Sequence, residues 1–342
     1  MKKILVIGAG AMGSAFCVPS LENKNDVTLI GTHLENQLIE ELKKKDNFHP
    51  ILQTKLPKEL KIKKFSEMNE VLNNKPDIIV VGVSSLGIDW FIEQISKNFH
   101  DNQKIVLLTK GLSIFENKLI TISEKIKILL DRKNFKNINI SAVKGPCLAI
   151  GLANKIRTGV VIANPKIEEA EELSKVFSTD YYKAEISDDL NGVELSGAIK
   201  NIYSMLIGAS EGLSAPNAPE EIKSKYYLNT ASSLVHRSIS EMVSFVSHYG
   251  GKSDTVYGLA GLGDLYVSAL GGRNSKMGKY LGQGFLYKDI INDQMEGITV
   301  EGAELALELG NELRNELSGK KFPLMFNIID AICNNQKLKI NW

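Results

Sequence analysis

Residues 4–7, Ile-Leu-Val-Ile, run without a polar break into Gly8-Ala9-Gly10-Ala11-Met12-Gly13. An apolar strand that ends in three glycines at this spacing leaves the chain few options. The first glycine suits a turn too tight for a side chain. The second lets the backbone approach a ligand, and the third lets the following helix pack closely on the strand. The first turn of that helix then presents unpaired amides to an anion. The spacing predicts a pyrophosphate-binding turn at a strand–helix junction, with Gly8, Gly10, Ala11, Met12 and Gly13 around the cofactor.

The rest of the first half fits such a turn. Apolar runs at 27–30, 77–83, 104–109, 139–143, 158–163 and 181–184 predict strands, and several are Val/Ile runs without alternation, as in strands covered on both faces. Helical stretches such as 35–45 and 117–130 separate them. This rhythm predicts an α/β fold with an N-terminal Rossmann-type, doubly wound parallel sheet. Beyond residue 185 only helical periodicity is visible, at 190–210, 223–249, 253–257, 274–281, 300–316 and 325–334. Two domains are expected: 1–184, binding NAD(P), and an all-α domain, 185–342, for substrate and catalysis. Residues 214–221, with two prolines, read as an exposed loop.

Composition removes several classes. With 342 residues, 43% hydrophobic and 24% charged, the chain has ordinary globular makeup. A net charge of +1, with no basic stripe interleaved with aromatics, argues against nucleic acid. Lys43-Lys44-Lys45 and the basic run from Lys61 to Lys64 read as solvated faces. Cys17, Cys147 and Cys333 are odd in number and widely spaced, with no CxxC or Cys/His ligand spacing, so neither a disulfide framework nor a metal site is expected. No apolar run is long enough to cross a bilayer, and the cysteine pattern, with no disulfide framework, predicts a reducing cytoplasm. Met1-Lys-Lys followed by Ser14-Ala-Phe-Cys17 imitates a lipoprotein signal, but the glycines that break the apolar run have the better explanation above.

The helical half opens on an expensive residue. In residues 191–208, Val193, Leu195, Ala198, Ile199, Ile202, Tyr203, Leu206 and Ile207 cover most of the circumference, as in a helix buried on nearly all sides. Ser196, Lys200 and Ser204, four apart, draw one polar stripe through it. A lysine there either snorkels to water or, desolvated, loses proton affinity and serves as an acid or base near neutral pH.

Other candidates sit at strand ends and helix starts. The second strand ends in Thr32-His33, where an NAD site usually carries Asp or Glu for the ribose hydroxyls, while Glu35 lies slightly beyond. Thr32 and His33 tolerate a 2′-phosphate but no arginine clamps it, so the reading tilts from NAD toward NADP. Lys110 emerges from the end of another strand, and Lys144-Gly145-Pro146-Cys147-Leu148-Ala149 ends a third. Leu259-Ala-Gly-Leu-Gly-Asp264 brings a carboxylate between small and apolar residues. Gly272-Arg273-Asn274 places a guanidinium, whose fork matches phosphate oxygens, at a predicted helix N-terminus.

In order along the chain, the Gly-rich loop, Lys110-Gly-Leu, Gly145-Pro-x-x-Ala149, Glu194-Leu-Ser-Gly-Ala-Ile-Lys-Asn201, Gly261-Leu-Gly-Asp-Leu265, Gly271-Gly-Arg-Asn274 and Val300-Glu-Gly302 closely resemble the NAD(P)-dependent glycerol-3-phosphate dehydrogenase family, from Ile4 to about Phe326. The resemblance implies reversible reduction of dihydroxyacetone phosphate to sn-glycerol 3-phosphate, supplying glycerophospholipid synthesis, in a homodimer. It implies that Lys200 is the proton donor and acceptor, aided by Lys110 and Asp264. Gly145, Cys147, Asn201, Asp264, Arg273 and Asn274 would surround the substrate with the two lysines, Arg273 and Asn274 gripping its phosphate. Lys110, Ala149, Arg273 and Glu301 would lie by the cofactor with Thr32 and His33.

The chain also departs from the family pattern. Met12 stands where many members carry an aromatic, Cys147 replaces a common hydroxyl, and Gly272 a common serine. Residues 215–227 look lengthened, and Ala231 takes the place of a usual lysine.

Two other readings compete. A ketopantoate reductase or 3-hydroxyacid dehydrogenase would share the glycine loop but not the paired lysines or the Gly-Arg-Asn site. A non-catalytic dinucleotide sensor would have no use for Lys200 or Arg273.

Overall fold

The computed structural model describes residues 1–100, 103–214 and 217–340. They form two compact units: Met1–Lys110 with Thr121–Leu190, and Gly111–Ile120 with Asn191–Trp342.

The first unit is built on strands β1 (Lys3–Ile7), β2 (Asp26–Ile30), β5 (Lys61–Lys63), β6 (Ile78–Val81), β7 (Lys104–Leu107), β10 (Asn139–Lys144), β11 (Thr158–Ala163) and β12 (Tyr182–Ser187), with a small hairpin of β3 (Phe48–His49) and β4 (Thr54–Lys55). The sheet order is β12-β11-β10-β7-β6-β1-β2-β5. Helices α1 (Ala11–Glu22), α2 (Asn36–Lys44), α3 (Met68–Asn73), α4 (Ile88–Ile95), α5 (Ile122–Asp131), α6 (Ala149–Ala153) and α7 (Ile167–Phe177) connect the strands. Two apolar cores, one around Val6, Val80 and Phe16 and one around Leu5, Ile79 and Phe91, lie on the two faces of the sheet. The strand order reverses at β1, which pairs with β2 on one side and β6 on the other. A reversal of this kind opens the ligand crevice of a doubly wound sheet.

The sheet differs from the sequence reading in three ways. β11 runs antiparallel to β10 and parallel to β12, so one edge opposes the other six strands. The β10–β11 connection holds only the five-residue α6, enough to return along the same end of the sheet. Residues 61–63, read as a solvated basic run, form edge strand β5 with Ile62 turned inward. Lysines on such an edge discourage pairing with another chain. Finally, residues 112–121 form a hairpin, β8 (Leu112–Phe115) and β9 (Lys118–Thr121), where the pattern had suggested helix from 117. Glu116 and Asn117 both take positive φ (51° and 60°), as a two-residue turn with matching twist requires. Leu112 and Leu119 are buried in the helical core, so this hairpin groups with the second unit, and the first unit continues to Leu190 rather than 184.

The second unit is otherwise helical: α8 (Leu190–Gly208), α9 (Ser210–Ser214), α10 (Glu220–Tyr226), α11 (Leu228–His248), α12 (Ser253–Tyr257), α13 (Asp264–Ala269), α14 (Arg273–Gly282), α15 (Tyr287–Asp289), α16 (Glu301–Glu316) and α17 (Pro323–Cys333). Of the segment read as a loop, 214–221, Ala215 and Pro216 lie outside the described residues, while Ser214 ends α9 and Glu220 and Glu221 already belong to α10. Among the described residues no helix is long and apolar enough to cross a membrane.

Every residue of α8 from Gly192 to Ile207 is buried. Its neighbours approach through glycines: a Cβ on Gly278 would meet the Met205 carbonyl oxygen at 1.8 Å, and one on Gly282 the Ala209 oxygen at 2.3 Å. Thus α14 lies backbone against backbone on the end of α8. Elsewhere Glu241 of α11 caps α17 from across the core, accepting hydrogen bonds from the backbone N–H groups of Leu324 (2.8 Å) and Met325 (3.0 Å) and from the Tyr203 hydroxyl (3.1 Å). Burial nonetheless raises the Glu241 carboxyl above its ordinary range. Glu241→Ala strands buried donors at about 1–3 kcal/mol per group. Thermal or urea unfolding is expected to show a loss of at least that size, and an unchanged midpoint would refute the cap.

Candidate active site

The glycine loop carries the geometry its spacing predicts. Gly8 has φ +108°, and a Cβ there would lie 2.8 Å from the backbone of Gly82, just past β6. A Cβ on Gly13 would lie 2.2 Å from the Gly8 carbonyl oxygen, so only glycine lets α1 pack this closely on the turn. Gly10 faces open space on its Cβ side, where the nearest heavy atom would be Glu35 Oε1 at 3.8 Å. No side chain caps the N-terminus of α1, and its first turn holds no acidic residue. An open backbone at Gly10 and an uncapped helix start suit a pyrophosphate, so these residues fit a dinucleotide. Ala11 and the departing Met12 are partly buried against the adjoining core.

The strand ends beside the switch point are tied together. The Thr109 hydroxyl donates to the Val83 carbonyl at 2.7 Å, and the buried Lys144 ammonium donates to the Thr109 carbonyl at 2.7 Å. These bonds fix the segment that delivers the half-buried Lys110, the last residue of the first unit before Gly111 turns the chain with φ +145°. Gly145 has φ +142°, and a Cβ would approach Val160 Cα at 3.0 Å. The Cys147 N–H closes a tight turn onto the Gly145 oxygen at 2.8 Å, and Ala149 opens α6. Thr32 N–H donates to Glu35, while the exposed His33 ring lies 5.3 Å from that of Trp90.

In the helical unit Lys200 does not snorkel. Its side chain is 5% exposed, and its Nζ lies 3.0 Å from Oδ1 of Asp264, itself 4% exposed. The Ser268 hydroxyl is a second partner of Nζ. Asp264 and Ser268 stand one turn apart on the same face of α13. The glycines before Asp264 make this possible: Leu259–Gly263 forms a π-helical turn, and a Cβ on Gly261 would meet the Val256 carbonyl oxygen at 2.1 Å.

Asn201, next to Lys200, accepts a hydrogen bond from the Asn274 amide at 3.0 Å, and Asn274 Oδ1 accepts one from Gly302 N–H at 2.8 Å. Gly302 has no room for a side chain, since its Cβ would lie 2.6 Å from the Asn201 carbonyl oxygen. The motifs around residues 200, 274 and 302 therefore meet in one bonded cluster. Arg273, the first residue of α14, is paired with Glu301 but about half exposed. A guanidinium has five N–H donors, so one carboxylate leaves capacity for an anion. Of the polar stripe, Ser204 is spent on the Asn201 carbonyl (2.9 Å) and Ser196 is buried without a hydrogen-bond partner, so of the three Lys200 is the one held in an ion pair. Sequence reasoning missed Ser268 and the tie made by Lys144; the i+4 spacing from Asp264 was the only available signal for the former.

Comparison with known proteins gives a consistent result. The family model for the NAD-dependent glycerol-3-phosphate dehydrogenase N-terminus matches residues 3–170, and that for the C-terminus matches 189–340. The chain is 31% identical to an NADP(+)-dependent glycerol-3-phosphate dehydrogenase of Archaeoglobus fulgidus over 91% of this chain and 90% of the relative. It is 32% identical to a glycerol-3-phosphate dehydrogenase [NAD(P)+] of Fusobacterium nucleatum over 97% and 91%. The fold matches the crystal structure of glycerol-3-phosphate dehydrogenase from Coxiella burnetii with a TM-score of 0.79 at 23% identity, covering 98% of this chain and 96% of that one.

Removing one partner of a buried ion pair costs about 3–5 kcal/mol, whereas replacing both by apolar side chains is often neutral. Asp264→Leu alone should therefore destabilise the fold, and adding Lys200→Met should recover most of the loss. Additive losses in urea titrations of the single and double variants would contradict the pairing.

Proposed function

Because the chain belongs to the NAD-dependent glycerol-3-phosphate dehydrogenase family, we propose that Lys200 is the proton donor and acceptor in its reversible reduction of dihydroxyacetone phosphate to sn-glycerol 3-phosphate. The chain is an NAD(P)-dependent oxidoreductase of that family. The observation that carries the lysine's role is its burial beside Asp264 and Ser268 in a helix with no water-facing side.

A bound reduced nicotinamide supplies a hydride to the ketone carbon. Lys200 donates its proton to the oxygen on which negative charge develops, and regains one from the hydroxyl in the reverse direction. Asp264 and Ser268 hold the ammonium in one orientation, from which it gives its proton to the substrate oxygen. Arg273, at the start of α14, binds the phosphate through its unused donors, helped by the helix dipole. Asn201 and Asn274 tie the middle of α8, beside Lys200, to the starts of α14 and α16. Lys110 adds a second positive charge for the anionic substrate, while Gly145, Cys147, Ala149 and Glu301 border the ligands. A cytoplasmic, homodimeric enzyme feeding glycerophospholipid synthesis belongs to the same proposal.

The ketopantoate reductase and 3-hydroxyacid dehydrogenase readings share the glycine loop but lack a use for Arg273 at a helix N-terminus. A non-catalytic sensor gains nothing from a buried lysine–aspartate pair.

Initial-rate oxidation of NADH and NADPH with dihydroxyacetone phosphate should give turnover, with none on ketopantoate; the opposite preference would refute the assignment. Lys200→Ala should lower kcat by roughly 10²–10⁴-fold with dinucleotide affinity preserved. Retention of a tenth of the native rate would exclude the lysine's role. Arg273→Ala should raise KM for the phosphorylated substrate by about 10–100-fold with a smaller change in kcat. An unchanged KM would remove the clamp.

A further inference from the structure

The end of β2 lacks the acidic residue that usually receives the adenosine ribose, and Thr32 and His33 leave room for a 2′-phosphate. The structure nevertheless brings a carboxylate to this place from farther along the chain. Glu35, just before α2, folds back so that Oε2 accepts two backbone hydrogen bonds, from Ala9 N–H at 3.0 Å and from Thr32 N–H at 2.8 Å. One oxygen thus bridges the glycine loop and the end of β2. The other, Oε1, would be the only heavy atom within 4 Å of a Cβ on Gly10. It stands beside the stretch of backbone that the motif keeps bare for the cofactor. The basic side chains of this region are paired elsewhere, Lys43 and Lys63 with Glu67 and Lys64 with Glu40.

The Ala9 peptide is held from its other side as well. His49, fully buried on the β3–β4 hairpin, lies with Nε2 3.1 Å from the Ala9 carbonyl oxygen, and its Nδ1 accepts from Leu52 N–H at 3.3 Å. Because an amide N–H can only donate, Nδ1 is the acceptor and the ring proton sits on Nε2, which donates to Ala9. The Ser14 hydroxyl donates to the same oxygen at 2.9 Å. Ala9 and the carboxylate bonded to it are therefore fixed before any ligand arrives.

We propose that Glu35 makes this chain select NAD(H) over NADP(H), with Oε1 accepting from the adenosine ribose hydroxyls and repelling a phosphate in their place. The inference rests on the dinucleotide reading of the site. Its physical basis is charge. A carboxylate accepts from a neutral diol, whereas a phosphate ester there sets two anions against each other, and Lys63 and Lys64, where β5 runs beside the end of β2, are already paired with Glu67 and Glu40. Neither Thr32 nor His33 reverses this: Thr32 contributes its backbone N–H to the carboxylate itself, and the His33 ring lies against Trp90 and Phe65.

The test is binding of NAD+ and NADP+ to the full chain without substrate, by titration calorimetry, for the native protein, Glu35→Gln and Glu35→Ala. The native protein should bind NAD+ at least about tenfold more tightly than NADP+. Glu35→Gln keeps an oxygen for Ala9 and Thr32 but removes the charge, and should bring the two affinities within about threefold, chiefly by tightening NADP+. Glu35→Ala should weaken NAD+ and lose the preference too. Native affinity for NADP+ equal to or tighter than for NAD+, or a ratio unmoved by both substitutions, would overturn the role of Glu35 while leaving the dehydrogenase reading intact. Failure of the native chain to bind either dinucleotide would overturn both.

Discussion

The helical unit is organised around a charge pair that stability alone does not explain. Taking an ammonium and a carboxylate out of water costs several kcal/mol for each ion, and apolar side chains of similar volume would hold the same space as well or better. Lys200, in a helix buried over every residue from Gly192 to Ile207, is paired with Asp264 at the start of α13. The surrounding structure serves to fix that pair. The π-turn of Leu259–Gly263 sets Asp264 at the start of α13, and Ser268 one turn later supplies the ammonium's second partner.

Close backbone approach is the recurring means of placement in both units. Gly8 and Gly13 set the cofactor turn against Gly82 and α1, while Gly278 and Gly282 bring α14 onto α8. Gly302 lets the start of α16 reach the Asn201–Asn274 pair. At each place a single methyl group would separate chains whose contact aims a functional side chain. Conserving volume would not be enough at these positions; there is no side-chain volume to conserve.

What was legible in the sequence follows from how local each signal is. The sheet could be read from uninterrupted Val/Ile runs, and the glycine turn from its spacing, since neighbours in the chain decide both. Lys200 stood out because an i±4 stripe shows a helix face directly. The 112–121 hairpin was hidden because Leu119, Ile122 and Ile126 imitate a helical repeat, although Thr121-Ile-Ser-Glu124 carries a helix-start signal. Thr121 does accept the Glu124 N–H, at 3.3 Å. Lys144, Glu241 and Ser268 find partners 35, 83 and 68 residues away, distances at which no local pattern reports. Glu35 was visible as a residue but not as a ligand of the loop, because its position depends on a bend after β2.

The central claim is that the Lys200 amine itself moves the proton. The most direct measurement is rescue of Lys200→Ala by small primary amines added to the dihydroxyacetone phosphate assay. If the side chain is the acid, activity should return in proportion to amine concentration and vary with amine size and acidity. A rate that stays flat across the whole amine series would contradict it.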